Sequence, residues 1–130
     1  MIAVDTNVLA RYLLNDDVEQ AKAAVRLLSA REPVDVPLSV WLELVWVLQI
    51  YDCSKAEIAK GLRHIVGLPC VRSGTHDIFL RALSWFEEGM DFADALHLAM
   101  SAQDERFASF DKVMMKMAAR IGASPRVTPP

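Results

Sequence analysis

Three apolar residues, Ile2-Ala3-Val4, run directly into three polar ones, Asp5-Thr6-Asn7, and apolar residues return at Val8, Leu9, Tyr12 and Leu13. A short, bounded apolar run fits a strand buried on both faces, as in a parallel sheet. Asp, Thr and Asn open helices, and the later spacing is helical. The stretch therefore reads strand, polar corner, helix. In a parallel α/β sheet such a corner lies at the carboxyl end of a strand, where these folds bind ligands. Taken alone, Asp5 serves equally well as a helix cap.

The rest of the chain repeats the theme. Asn15-Asp16-Asp17 caps a second helix with Val18, Ala21, Ala24, Val25 and Leu28 as its apolar face. Val34-Asp35-Val36 is extended between Pro33 and Pro37. The next helix, from about Ser39 to Tyr51, is apolar nearly all round, which predicts a central position or a second face in an interface. Ser54 and Glu57 form a capping box for a helix that Gly67 ends. Pro69-Cys70-Val71 reads as a strand, His76 to Glu88 as a helix stopped by Gly89, and Asp91 as the N-cap of a helix reaching Met100. Arg106 to Phe110 is a strand that runs into Asp111, Lys112 to Arg120 a helix before Gly122, and Arg126-Val127 an edge strand. The order β, α, α, β, α, α, β, α, α, β, α predicts an α/β fold: a parallel sheet covered by helices on both faces, with right-handed crossovers.

A length of 130 residues suits one domain, 1–130, with residues from about 125 to 130 expected to fray. With 53% apolar and 24% charged residues, a folded globular state is expected. A net charge of −3 excludes a general polycationic nucleic-acid binder. It leaves room for an enzyme that meets phosphate through a metal held by carboxylates. Cys53 and Cys70 lack CxxC spacing and a histidine cluster, so both read as small packed hydrophobes in a reducing cytoplasm. No apolar run reaches membrane-spanning length, and no basic region precedes the first apolar residues, so neither a span nor a signal peptide is expected.

Four acids stand among apolar neighbours. Asp5 ends the first strand, Glu43 lies between Leu42 and Leu44, Asp94 between Ala93 and Ala95, and Asp111 follows Phe110. Burying an unpaired carboxylate costs several kcal/mol or more, and no matching set of buried lysines or arginines is predicted. The economical expectation is that all four converge on divalent cations. Oxygen-only ligation suits Mg²⁺ or Mn²⁺. Without a cation such carboxylates repel, and at least one should hold its proton more tightly than usual.

Val4-Asp5-Thr6-Asn7, Glu43 in an apolar helix, Asp91-Phe92-Ala93-Asp94-Ala95-Leu96-His97-Leu98-Ala99 and Ser109-Phe110-Asp111 resemble the motifs of the PIN domain. In size and motif the chain looks like the VapC-type toxins of bacterial toxin–antitoxin pairs. The resemblance covers essentially the whole chain. It implies a three-layer α/β/α sandwich with a central, mostly parallel sheet of four to five strands. It also implies Mg²⁺- or Mn²⁺-dependent cleavage of RNA, a homodimer, and a cognate antitoxin that covers the acidic cleft. Carried over by motif, Asp5, Glu43, Asp94 and Asp111 resemble the acidic quartet. Thr6, Asn7 and Ser109 resemble its polar supports, with Asp91 a further candidate. Ser109 stands where the family often has threonine and keeps the hydroxyl, and the fourth acid is the family's most variable.

Arg11, Lys112 and Lys116, with Arg120, are the candidate substrate contacts, the last three recurring every four residues. His97 reads as a core histidine or one supporting the site, and His64 and His76 as surface residues. Two other functions compete. A haloacid-dehalogenase-like phosphohydrolase would use Asp5 as nucleophile, but Asn7 stands where that chemistry needs a second aspartate. A catalytically weak PIN-fold interaction module would use the apolar helix and Trp41, Trp46 and Trp85 for partners.

Overall fold

Five of the seven helices begin where a local polar side chain caps them. In the computed structural model, which describes residues 1–130, the helices are α1 (Thr6–Leu14), α2 (Val18–Ser29), α3 (Leu38–Ile50), α4 (Lys55–Val66), α5 (His76–Glu87), α6 (Phe92–Met100) and α7 (Lys112–Ile121). Asp5, Asp17, Ser54, Asp91 and Asp111 cap α1, α2, α4, α6 and α7, each accepting a backbone N–H of the first turn. The Ser54–Glu57 capping box forms in both directions. Gly89 and Gly122 take φ +121° and +76° just after α5 and α7, a region that favours glycine. No helix is long and apolar enough to cross a membrane.

The chain divides into two compact units, Met1–His76 and Asp77–Pro130. In the first, β1 (Ile2–Ala3) and β2 (Val34–Asp35) run parallel, with Ile2 opposite Val34 and Ala3 opposite Asp35. The predicted strand at Pro69-Cys70-Val71 is a single parallel bridge between Val34 and Val71. In the second, β3 (Arg106–Ala108) runs parallel to β4 (Arg126–Thr128), with Phe107 opposite Val127. Where the sequence predicts one sheet of four to five strands, hydrogen bonding forms two parallel pairs, one within each unit. The strands are only two or three residues long, and Pro33 and Pro37 limit β2, since proline lacks the N–H a ladder needs.

The tail expected to fray is tied down. Arg126–Thr128 pairs with β3, and the Arg106 guanidinium donates to Thr128 Oγ1 at 2.8 Å and to the Pro129 carbonyl at 3.0 Å.

Within the first unit α1 packs on α2 and α3, and Leu9, Ala10, Val34, Val36, Leu44, Ile58, Leu62 and Ile65 are fully buried. The second unit buries Phe79, Leu83, Phe86, Met90, Phe92 and Leu98. There Phe92 meets Phe86 edge-on at 5.6 Å between centroids, a favoured aromatic geometry.

Two burial expectations change. Val18 and Val25 are exposed, so the buried stripe of α2 is the narrower Ala21, Ala24 and Leu28. Cys70 is buried and donates to the Leu28 carbonyl, whereas Cys53 is half-buried; both are free. Trp41 is buried, Trp85 half-buried and Trp46 63% exposed, so α3 does keep a second, apolar face in solvent.

Candidate functional site

The chain builds the same corner twice: a short strand, an aspartate that caps the following helix, and the helix. At the first corner Asp5 Oδ1 accepts the Thr6 N–H at 2.8 Å. Thr6 is buried, Asn7 is exposed, and Asn7 shares a groove of about 400 Å³ with Val8, Arg11, Gln20 and Leu27. Arg11 is already engaged. Its guanidinium bridges to Asp16 at 3.1 Å and its Nε donates to Gln20 Oε1 at 2.9 Å. A hydrogen bond with Tyr51 holds its pKa above the ordinary arginine value, helped by Asp16 and opposed by burial.

At the second corner Asp111 Oδ1 accepts the N–H groups of Val113 and Met114 at 3.0 and 3.1 Å. Ser109 Oγ accepts the Asp111 N–H at 3.0 Å, so the hydroxyl fixes the turn into α7. Asp91, as read from the sequence, caps α6: its Oδ2 accepts the backbone N–H of Asp94 at 3.2 Å.

Asp94 sits between these two carboxylates in charge as well as in chain position. Burial pushes its carboxyl above the ordinary value first, and the charges of Asp91 and Asp111 push it the same way, with His97 pulling back. Like charge thus adds to burial at Asp94.

The premise of four buried acids does not hold. Asp94 is half-buried, whereas Asp5, Glu43 and Asp111 are exposed. Glu43 is flanked by Leu42 and Leu44, but successive helical residues point about 100° apart, so sequence neighbours do not surround it. The inward stripe of α3 is Trp41, Leu44, Val45 and Leu48. His97 is exposed rather than in the core, stacked on Phe107 at 6.3 Å between centroids. His64 is on the surface, where it hydrogen-bonds Tyr12, and His76 is half-buried.

Of the basic residues, Lys112 and Lys116 are exposed one turn apart on α7. Arg120 instead donates to the Glu88 carbonyl at 3.3 Å. One neighbour was not anticipated. Phe110 is 86% exposed and Val113 74% exposed, beside Asp111. A phenylalanine just before an N-cap usually packs back onto the helix, so the pattern alone predicts burial there.

A divalent cation fits this donor set by its chemistry. The acids are hard oxygen donors, and Asp91, Asp94 and Asp111 raise negative potential that no nearby lysine or arginine relieves at Asp94. Neither unit on its own gathers three ligating side chains closely enough to hold a metal ion. Residues 2–120 match the family model of the PIN domain. No curated protein matches the sequence directly.

Proposed function

The chain belongs to the PIN-domain family, an α/β, nuclease-type fold that is generally metal-dependent, and from that premise we propose that it is an endoribonuclease, the toxin of a toxin–antitoxin pair. The observation that carries the reading is the pressure on Asp94. A half-buried carboxylate raised first by burial and then by the charges of Asp91 and Asp111 is a poor structural choice and a good cation ligand.

In this reading Asp5, Glu43, Asp94 and Asp111 hold Mg²⁺ or Mn²⁺, within the three-layer sandwich and four- to five-stranded sheet that the family implies. When bound, the metal supplies Lewis-acid stabilisation of the charge that develops on the phosphodiester. The chain's own residues position the ligands. Asp91 anchors the first turn of α6 and with it Asp94. Ser109 and the capping bonds of Asp111 hold the second corner. Thr6 and Asn7 support the first, where buried Thr6 limits the freedom of Asp5. Lys112 and Lys116 contact phosphate, whereas Arg11 contributes less because Asp16 and Gln20 already hold it.

The toxin reading also entails a cytoplasmic homodimer and an antitoxin that covers the acidic site. The exposed Trp46 and Ile50 of α3 offer apolar surface for such contacts. The test of the catalytic reading is incubation of the purified protein with defined RNAs, with and without Mg²⁺ or Mn²⁺, beside Asp5→Asn and Asp94→Asn. Metal-dependent cleavage by the parent alone supports it. Cleavage by either variant at the parental rate sinks it.

A further inference from the structure

We propose that Phe110 is a substrate-binding residue, a platform on which an unpaired RNA base stacks, with Lys112 and Lys116 on the adjoining phosphates. The inference rests on the nuclease reading and adds a binding residue to it.

Phe110 is the most exposed large hydrophobic side chain of the chain, at 86%. Leaving a phenylalanine in water forgoes much of the stabilisation that burial offers. A residue just before an N-cap often packs onto the fourth helical residue, here Met115. The Phe110 ring stays exposed instead, and no ring of the chain stacks on it.

Its backbone, however, is held on both sides. The Ser109 N–H donates to the Thr128 carbonyl at 2.9 Å, the Asp111 N–H donates to Ser109 Oγ, and Asp111 caps α7. An exposed ring on a fixed corner loses little freedom when a planar group docks on it. Base stacking on an aromatic side chain tolerates any base, but requires a base whose face is free, which a duplex does not offer.

The surrounding charge selects the occupant. Lys112 and Lys116 are exposed cations two and six residues after Phe110, in a chain whose net charge is −3. Phosphates of a strand whose base rests on Phe110 find those cations along the first two turns of α7. Phe110 and Val113 alone make too small an apolar patch for a protein partner, since specific interfaces bury roughly 800 Å² on each side.

The experiment is steady-state cleavage of a short, unstructured RNA in Mn²⁺ by the full chain and its Phe110→Ala and Phe110→Trp variants. The same RNA annealed to its complement, thermal melting and light scattering accompany it. Loss of one stacked base predicts that Phe110→Ala raises KM between about fivefold and about a hundredfold while kcat stays within about twofold. Phe110→Trp keeps the parental KM, the annealed RNA is a poor substrate for all three, and the melting temperature does not move. Replacing Lys112 and Lys116 by alanine flattens the salt dependence of KM. A Phe110→Ala protein with parental KM on the single strand overturns the platform alone. So does one whose KM is unchanged while its oligomeric state shifts, which would make the patch a protein interface. A parent that cuts no RNA in either metal overturns the nuclease reading and the platform with it.

Discussion

The two strand–aspartate–helix corners share a plan and differ in what surrounds the aspartate. Asp5 is followed by Thr6, 3% exposed, and by Leu9 and Ala10, which are fully buried. Asp111 stands between Phe110 and Lys112, with Val113 next, and all three are exposed. Both aspartates cap a helix. The first corner is therefore fastened into a core, whereas the second spends its apolar residues on solvent. A capping aspartate alone does not mark a site; the company it keeps does.

The largest expected effect tests whether Asp5 and Asp94 each take part in catalysis. Asp5→Asn and Asp94→Asn should each lower RNA cleavage in Mg²⁺ by at least about a hundredfold, the upper end of what loss of a mere ligand-supporting group produces. Asparagine caps a helix as well as aspartate does, so Asp5→Asn should keep its melting temperature. Asp94→Asn should raise it at neutral pH. The folded state lifts the Asp94 carboxyl above its ordinary value, so its ionised form is disfavoured in the fold. That penalty is present in full above the folded pKa and fades as pH falls toward the unfolded one. Melting curves of parent and Asp94→Asn should therefore converge as pH drops through the carboxylate range. A variant less stable than its parent at neutral pH would show that Asp94 is structural.

Stability mutants sharpen the contrast between a fastened and an open corner. Leu9→Ala, at 0% exposure one helical turn after Asp5, should cost about 2–5 kcal/mol. Val113→Ala, at 74% exposure two residues after Asp111, should stay within about 0.5 kcal/mol. Urea unfolding of the two measures the difference, and comparable losses would remove it.

These contrasts also explain what the sequence could show. Helices were legible because their caps are local: Asp17, the Ser54–Glu57 box, Asp91 and Gly122 all act within a few residues. The acid motifs were legible as a pattern, yet their burial was not. Around Glu43 the helix is apolar on every face, so no period distinguishes the inward side, and Trp41, Leu44, Val45 and Leu48 take it by tertiary packing. Strands of two or three residues leave too few positions for a period of two, so Pro69-Cys70-Val71 looked like its neighbours and formed only a bridge. The open position of Phe110 was hidden because local rules favour its burial.

A smaller effect separates capping from catalysis at the second corner. Asp111→Ala removes two accepted N–H bonds and should destabilise the chain by about 1 kcal/mol, whereas Asp111→Asn should cost a few tenths at most. If Asp111 does no more than cap, Asp111→Asn cleaves RNA as the parent does. If it also faces the cation, Asp111→Asn loses cleavage while its unfolding midpoint holds.

The smallest effect uses a cap with no part in either corner. Glu57 accepts the Ser54 N–H at 2.7 Å, and this bond, followed by that of the Ser54 hydroxyl partner, holds its carboxyl below the ordinary value. A lowered folded pKa contributes stability above the unfolded pKa, and that contribution is lost as pH falls through the folded one. Asp94 acts in the opposite sense over the same acid range. Glu57→Gln keeps the geometry but loses the charge, so it should slightly lower the melting temperature at neutral pH and flatten the acid limb of the stability curve. Asp94→Asn should steepen the loss of stability seen on acidification, because the parent gains relief there that the variant has already taken. Opposite changes in slope would show that a carboxylate serving a cap and one raised by burial and like charge are distinguishable by titration alone. Equal slopes would mean that Asp94 feels no more pressure than an exposed cap, and the strongest support for a cation at Asp94 would be gone.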